Sequence, residues 1–134
     1  MKNNYLFTLD FDVRDYELDL QGIVNNSVYQ NYLEHARHRF LKASGADFAK
    51  LHDQGIDAVV TRVELDFKRS LVANDSFWVG LNWERKGRTQ IAFLQDIYRG
   101  DELILRGKVF TACIQNGGII IPDQLVKLFE DYQK

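Results

Sequence analysis

The chain of 134 residues has little cysteine, little proline and no long apolar run. A single cysteine, Cys113, excludes an intrachain disulfide framework and a zinc site built from several cysteines. No apolar stretch approaches the roughly 20 residues that a membrane-spanning helix needs. The charged N-terminal segment also differs from a signal peptide. We therefore expect a cytoplasmic protein that does not insert into membranes.

The sequence also has no large excess of positive or negative charge. Seventeen lysine and arginine residues oppose 19 aspartate and glutamate residues, and the formal net charge is -2. Domains that bind nucleic acid usually carry a basic patch, so we do not expect nucleic acid as a partner. Apolar material is abundant instead: 46% of the residues are hydrophobic and 13% are aromatic. This is enough for one packed core in a single domain over residues 1–134.

Hydrophobic periodicity predicts the first two elements. Apolar residues alternate with other residues from Tyr5 to Val13, which predicts a half-buried strand. From Ser27 to Leu41 they recur at spacings of three and four, which predicts an amphipathic helix. Asn26 or Ser27 is expected to cap this helix, and Gly45 to end it.

The rest of the chain predicts a sheet. About four strands follow, separated by tight glycine turns, and Pro122 is expected to begin a closing helix. A sheet of this size needs an apolar cover, and the long helix is the only predicted element large enough. The sequence therefore predicts an α+β domain in which a long antiparallel sheet wraps around a central helix.

The candidate site lies in the loop from Arg14 to Asn26, which has neither strand nor helix periodicity. Asp19 precedes the predicted helix by seven residues, and Gly22 allows a sharp turn between them. The backbone N–H groups at a helix start can hold an oxyanion while a carboxylate attacks a carbonyl or activates water. Thioesters suit such a site because the thiolate leaves without a strong general acid. The alternative interpretation is that Asp19 is a turn or cap residue.

Several segments carry a family resemblance: Val13-Arg14, the triplet Glu17-Leu18-Asp19, the turn Gly22-Ile23-Val24, and residues 31–37, 63–67 and 74–76. Together they resemble the 4-hydroxybenzoyl-CoA thioesterase family of hotdog-fold proteins. The resemblance implies a hotdog domain that hydrolyses acyl thioesters. It makes Asp19 the catalytic carboxylate and the N–H of Asn26 the oxyanion donor.

The resemblance also implies a set of substrate contacts. Those in and near the loop are Gly22, Val24, Asn25 and Tyr29, and Thr89 is a contact to the pantetheine. The neighbouring cations Arg85, Lys86 and Arg88 are candidates to bind the phosphates of coenzyme A or an acidic carrier protein. The alternative is that they are ordinary turn charges. We expect residues of the helix and the facing strands to form the acyl pocket. The candidate lining residues are Tyr29, Tyr32, Phe67 and Trp78.

Glu34 on the helix is the second choice for the catalytic carboxylate. Its alternative role is an ion pair with Arg37 or Lys68. His35 and His38 share a helix face, but no third well-spaced ligand accompanies them. We therefore expect no metal and no cofactor.

The thiol carrier and the assembly stay open. Asn25-Asn26 resembles acyl-acyl carrier protein thioesterases, which generally show Asp-x-Asn-x-His before Val-Asn-Asn, but Gln21 and Ile23 replace the Asn and the His. Both coenzyme A and carrier protein thioesters are therefore candidate substrates. Proteins with this fold pair their sheets across two subunits, which implies a homodimer or homotetramer.

Two other functions stay open. A hydratase or dehydratase of the same fold typically needs an Asp and a His together, and the loop lacks a His. A non-catalytic domain that binds acyl thioesters is the other possibility, because fold and motif do not guarantee turnover.

Overall fold

The computed structural model describes residues 1–133, apart from the side chain of Phe48. The strands are β1 (Phe7–Asp12), β2 (Ile56–Phe67), β3 (Ser76–Lys86), β4 (Gln90–Arg99), β5 (Glu102–Gln115) and β6 (Gly118–Ile120). The helices are α1 (Asn26–Ala43), α2 (Phe48–Asp53) and α3 (Asp123–Gln133). Short 3₁₀ turns occupy Lys2–Asn4 and Asp15–Glu17. This order confirms the predicted strand, loop, long helix and four long strands.

The strands form one antiparallel sheet in the order β1-β3-β4-β5-β2, and the short β6 pairs with the end of β5. Strand β2 therefore lies at one edge and β1 at the other. The sheet curls around α1, as the sequence predicts. Within residues 1–133, no helix combines the length and the apolar composition that crossing a membrane requires.

Helix α1 is buried along one side because its large apolar residues fall three and four positions apart. The buried set is Tyr29, Tyr32, Leu33, Ala36, Arg37, Phe40 and Leu41. Phe40 also meets Phe129 of α3 at a ring-centroid distance of 4.9 Å. Helix α3 thus closes the core over the C-terminal half of α1.

The helix cap differs from the prediction by one residue. Asn25 has extended backbone angles, φ -64° and ψ 140°, and its side chain accepts a hydrogen bond from the backbone N of Ser27. Asn25 is therefore the cap, and Asn26 is the first helical residue. At the other end the last helical residue is Ala43, and Gly45 follows with φ 93°, as predicted for a helix stop.

Trp78 lies on the face of the sheet away from α1, where its ring stacks on Tyr98 with centroids 4.7 Å apart. Its neighbour Phe77 faces the helix and meets Tyr32 at 4.7 Å. Because successive strand residues point to opposite faces, the ring of Trp78 packs on the outer face, although Trp78 and Tyr32 both line the groove between β1 and α1.

Candidate active site

The loop before α1 folds into a small turn that begins at Asp19. The backbone N of Asp19 donates to the carbonyl of Ile23 at 2.8 Å, and the N of Gly22 donates to the carbonyl of Asp19 at 3.1 Å. Leu18 and Val24 form an isolated antiparallel bridge around this turn. Gly22 has φ 80°, a conformation that favours glycine. The turn therefore brings Asp19 back beside the residues that lead into the helix.

The carboxylate of Asp19 is held by the same turn. Its Oδ1 accepts hydrogen bonds from the backbone N of Gln21 at 2.8 Å and of Ile23 at 3.3 Å. Residues 1–133 supply no hydrogen-bond donor to its Oδ2. The side chain is partly exposed. One carboxylate oxygen thus fixes the side chain, and the other is left for a substrate or a water molecule.

The start of α1 provides an unused donor. The backbone N of Ser27 donates to Oδ1 of Asn25 at 3.1 Å, and the backbone N of Val28 donates to the carbonyl of Asn25 at 2.9 Å. In the described part of the chain, no acceptor is paired with the backbone N–H of Asn26. A free N–H at the positive end of a long helix is suited to hold an oxyanion.

An interaction that the sequence analysis missed ties the loop to the helix. The hydroxyl of Tyr32 donates to Oε1 of Glu17 at 2.8 Å, and the backbone N of Arg14 donates to the same oxygen at 2.7 Å. The carbonyl of Glu17 accepts from the N of Asn25 at 3.1 Å. Burial and the bond to Glu17 raise the pKa of Tyr32, so its hydroxyl stays protonated. Glu17 therefore fixes both ends of the loop that carries Asp19.

Val24 and Tyr29 are buried, and both contact the segment after β2. The N of Val24 donates to the carbonyl of Leu71 at 2.9 Å, and the N of Leu71 donates to the hydroxyl of Tyr29 at 3.0 Å. Both side chains are almost fully enclosed in the core. Of the substrate contacts that the resemblance implies in this region, Gly22 and Asn25 are exposed, whereas Val24 and Tyr29 hold the loop against the sheet.

The predicted cation cluster lies far from Asp19 within one chain. Ser76, at the start of β3, is next to the loop, because the N of Val13 donates to the carbonyl of Asp75 at 2.9 Å. Lys86 is at the other end of the same strand, ten residues away or roughly 33 Å. Arg88 and Thr89 follow in the turn to β4. The loop and the basic turn therefore lie at opposite ends of the sheet.

Arg85 also has a structural partner, since its Nη2 lies 2.9 Å from Oδ1 of Asp123 at the start of α3. Lys86 and Arg88 are exposed, and the described residues supply neither with an ion pair. Two of the three predicted phosphate-binding cations are thus available to a ligand.

Glu34 is exposed on α1 and lies eight residues beyond Asn26, roughly 12 Å along the helix axis. Among the residues described, neither Arg37 nor Lys68 comes within 4.0 Å of its carboxylate. Glu34 therefore makes no close ion pair with either residue, and it acts on Arg37 only through longer-range attraction. The distance also separates Glu34 from the helix start of its own chain.

A groove of about 910 Å³ runs between β1 and α1. Arg14, Glu17 and Tyr32 line one end of it, and His35 and Arg39 line the other. Asp19 does not line this groove, so its size does not locate the chemistry. Residues 1–133 contain no group of three His, Cys, Asp or Glu side chains that could hold a metal ion.

Comparison with known proteins decides the family. The sequence model described as the thioesterase superfamily matches residues 21–105. The chain belongs to the thioesterase superfamily. Membership supports acyl thioester hydrolysis as the general reaction. The matched residues include the second half of the loop, α1 and most of the sheet, but they begin after Asp19.

Two relatives of this member of the superfamily are named as an esterase and as a thioesterase. An inferred esterase of Aquifex aeolicus is 32% identical over 120 residues, which cover 89% of this chain and 94% of the relative. A chloroplastic acyl-acyl carrier protein thioesterase of Arabidopsis thaliana is 32% identical over 110 residues, or 81% of this chain. The match spans only 58% of that plant protein.

A solved structure confirms the hotdog fold. The 1,4-dihydroxy-2-naphthoyl-CoA thioesterase from Synechocystis superimposes with a TM-score of 0.85, and the match covers 92% of this chain and 93% of that one. At 16% sequence identity this likeness shows the fold alone. One relative is thus named for a carrier protein thioester and one structural neighbour for a coenzyme A thioester, so the thiol carrier of this thioesterase stays open.

Proposed function

We propose that this protein hydrolyses acyl thioesters of coenzyme A or acyl carrier protein, with Asp19 as the reacting carboxylate and the N–H of Asn26 as the oxyanion donor. The observation that carries the proposal is that two groups suited to the reaction, one in the loop and one at the start of α1, have no partner within residues 1–133. Oδ2 of Asp19 and the N–H of Asn26 both lack partners among the described residues. The bridge between Leu18 and Val24 turns the loop back toward the start of α1, which supports a shared role for the two groups.

The chemistry can follow two routes. As a general base, Asp19 takes a proton from water while the water oxygen adds to the thioester carbonyl, and the N–H of Asn26 stabilises the oxyanion. The C–S bond then breaks, and the thiolate takes a proton to give free acid and thiol. As a nucleophile, a carboxylate oxygen of Asp19 adds to the thioester carbonyl, the C–S bond breaks with release of the thiolate, which takes a proton, and water then hydrolyses the acyl anhydride to free acid and the Asp19 carboxylate. Single-turnover hydrolysis in ¹⁸O-water distinguishes the routes, because only the nucleophilic route can label the carboxylate of Asp19.

The test of the function is Asp19→Asn. The amide oxygen of the new side chain can accept the same two backbone hydrogen bonds as Oδ1 of Asp19, so the turn is expected to stay folded. Removal of a general base typically costs 10²–10⁴-fold in rate, and a loss of roughly 10²-fold or more is expected. Asp15→Asn is the matched control, because Asp15 is an exposed carboxylate in the same loop.

Thiol release from acyl-CoA and from acyl carrier protein measures the outcome. Wild-type turnover that collapses in Asp19→Asn and persists in Asp15→Asn supports the proposal. Equal turnover in wild type and Asp19→Asn contradicts the role of Asp19. Water addition to a double bond without thiol release would favour the hydratase, and binding without turnover would favour the non-catalytic domain.

We also propose a homodimer formed through β2. Among residues 1–133 this strand pairs only with β5, so its other edge is free of them and can pair with a second copy. Its residues on the helix side include Val60, Val63 and Phe67, which are 48%, 37% and 48% exposed. An apolar row along a free strand edge is what a second β2 would cover. Pairing of two such dimers would give the homotetramer.

Antiparallel pairing of two β2 strands would complete the site. It places the Ile56 end of one strand beside the Phe67 end of the other. The Phe67 end adjoins the loop, because the rings of Phe67 and Tyr29 are 5.5 Å apart. The Ile56 end adjoins the basic turn, because Val59 near that end and Gln90 just after the turn both pair with Ala112 of β5. In the dimer, the basic turn of one subunit therefore approaches the loop of the other.

Val63→Lys tests the dimer by placing a charge in the middle of the β2 edge. We expect a shift from dimer to monomer in analytical ultracentrifugation, together with loss of turnover. Ile119→Lys is the control, because Ile119 is 64% exposed on β6 rather than on this edge. A Val63→Lys protein that remains a fully active dimer contradicts the proposed pairing.

Substitution of Lys86 and Arg88 tests which thiol carrier the protein binds. If they bind the phosphates of coenzyme A, the double variant Lys86→Ala/Arg88→Ala raises KM for acyl-CoA but not for acyl-pantetheine, which lacks the nucleotide. If they meet an acidic carrier protein, the KM for the acyl carrier protein rises instead, and the effect weakens as salt is added. Unchanged KM values for both substrates would leave the turn charges without a role in binding.

A further inference from the structure

A second cavity, about 210 Å³, lies between α1 and the inner face of the sheet beside the free edge of β2. Its walls are mostly apolar, with Val59 on β2, Ile91 and Phe93 on β4, and Leu125 on α3. Glu34 and Arg37 line it from α1. At about 30 Å³ for each water-sized group, it holds roughly seven such groups. This is the size of a short acyl chain.

Arg37 places a buried positive charge in this cavity. The residue is only 9% exposed, and its Nη1 donates to Oε1 of Gln95 at 3.0 Å. The amide of Gln95 is fixed in turn, because its Nε2 donates to the carbonyl of Leu33 at 2.9 Å. Burial lowers the pKa of Arg37, but a guanidinium remains protonated in proteins. The cavity therefore contains a cation held in one orientation.

This cation has no anionic partner in the described part of the chain. No carboxylate oxygen of residues 1–133 lies within 4.0 Å of its guanidinium, and Glu34 acts on it only through longer-range attraction. Gln95, its hydrogen-bond partner, is neutral. Buried charges are costly unless an opposite charge pairs with them. The remaining N–H groups of Arg37 can meet a ligand that enters the cavity.

The position of the cavity relates it to the proposed active site. Arg37 is eleven residues beyond Asn26 of its own chain, roughly 17 Å along the helix axis. Val59, however, is near the Ile56 end of β2, which the proposed dimer places beside the Phe67 end of the second copy. The loop and helix start of that copy adjoin its own Phe67. An acyl group held at one subunit's loop can therefore extend into the other subunit's cavity.

We infer that the cavity receives the acyl group and that Arg37 binds a carboxylate at the far end of that group. The substrates would be monothioesters of short dicarboxylic acids, such as glutaryl and adipoyl thioesters. Their methylene chains suit the apolar walls, and their carboxylates supply the missing anion, for which guanidinium is well shaped. This inference rests on the proposed hydrolase function and names its substrate class.

The experiment compares adipoyl, methyl adipoyl and hexanoyl thioesters, each on coenzyme A and on acyl carrier protein. The three acyl groups share a six-carbon chain, but only the first ends in a negative charge. We expect wild-type kcat/KM to be at least tenfold higher for adipoyl than for hexanoyl, with methyl adipoyl between them. Arg37→Met keeps much of the side-chain volume and removes the charge. It should abolish the adipoyl preference while hexanoyl turnover persists.

Arg39→Met is the matched control, because Arg39 is exposed on α1 outside this cavity. It should leave the adipoyl preference unchanged. Should Arg37→Met fail to fold, Asp19→Asn provides the test without altering Arg37, and it should bind adipoyl at least tenfold more tightly than hexanoyl thioesters.

Different results would contradict the role of Arg37 and the proposed hydrolase function. A wild type that hydrolyses hexanoyl as well as adipoyl thioesters, or keeps its preference in Arg37→Met, overturns the role of Arg37 and leaves the hydrolase standing. Equal or weaker adipoyl binding by Asp19→Asn also overturns it. A wild type that hydrolyses no thioester of any acyl group, on either carrier, overturns the proposed function itself.

Discussion

Removal of one hydroxyl, in Tyr32→Phe, tests whether the loop is anchored as the structure indicates. The hydroxyl lies 2.8 Å from Oε1 of Glu17, and the tyrosine is buried to 4% exposure. Hydrogen bonds to charged groups contribute about 1.5–3 kcal/mol. Glu17 is partly exposed and keeps its bond from the N–H of Arg14. We therefore expect the lower end of that range, a loss of about 1.5–2 kcal/mol in the free energy of unfolding.

The same change should affect catalysis. Glu17 connects the loop to Asn25 through its carbonyl, so weaker anchoring lets Asp19 and the helix start drift apart. Each 1.4 kcal/mol added to the activation barrier lowers the rate tenfold, and we expect the misplaced site to raise the barrier by no more than this, so that kcat falls by up to roughly tenfold. KM should change less, because Tyr32 itself is enclosed in the core.

Urea unfolding and thioester turnover, at one fixed protein concentration, measure both effects. Tyr16→Phe is the control: Tyr16 is 76% exposed, and its hydroxyl accepts a bond from Nη1 of Arg14 in the same loop. A stability loss in Tyr32→Phe no larger than in Tyr16→Phe would refute the anchoring role. So would an unchanged kcat.

The raised pKa of Tyr32 sets the pH range of this effect. Burial first, and then the bond to Glu17, raise the folded-state pKa above the ordinary tyrosine value of about 10. A group whose folded pKa is raised contributes its stability fully below the unfolded pKa and loses it as pH rises. The stability difference between wild type and Tyr32→Phe should therefore be constant from about pH 6 to 9 and shrink above about pH 10.

Three further substitutions test particular contacts. In Gly22→Ala the added Cβ has no described atom within 4 Å, but the alanine must adopt φ 80°. We therefore expect a loss of about 1–2 kcal/mol in the free energy of unfolding, measured in urea, and a partial loss of thioester turnover. Gly80→Ala would bring a Cβ to 2.6 Å from the ring of Tyr5 and should cost about 1–3 kcal/mol in urea unfolding, whereas Gly118→Ala, with its nearest atom at 3.8 Å, should cost far less. Arg85→Ala should change stability by less than about 1 kcal/mol, because its ion pair to α3 is exposed; an accompanying rise in KM would instead assign it to the substrate.

Most of the fold could be predicted from the local periodicity of apolar residues. The apolar spacing of α1 and the alternation of β1 depend on neighbouring residues, which one sequence displays directly. The turn at Gly22 could be anticipated for the same reason, since φ 80° is a local requirement. Asn25 rather than Asn26 caps the helix because both residue types are good caps, and only the backbone angles distinguish them.

Contacts between distant residues were not predictable in this way. Tyr32 and Glu17 are fifteen positions apart, and Arg37 and Gln95 fifty-eight. Tyr32 reads as an ordinary core aromatic, and the three-residue offset from Arg14 to Glu17 is a weak capping signal without the fold. For Arg37, no local pattern indicates burial of a charge, because helical arginines are usually exposed.

The basic turn shows most clearly how long-range structure changes a sequence interpretation. The sequence interpretation assigns Lys86, Arg88 and Asp19 to one substrate. Within a chain, however, the length of β3, roughly 33 Å, lies between the basic turn and the end of the sheet beside the loop. A single subunit therefore cannot use both groups on the same short stretch of ligand. The free edge of β2 removes this conflict, because antiparallel pairing reverses the second copy and brings its basic turn to the first copy's loop. If the substrate contacts implied by the resemblance hold, the site requires two chains, and loss of the dimer and loss of turnover should occur together in Val63→Lys.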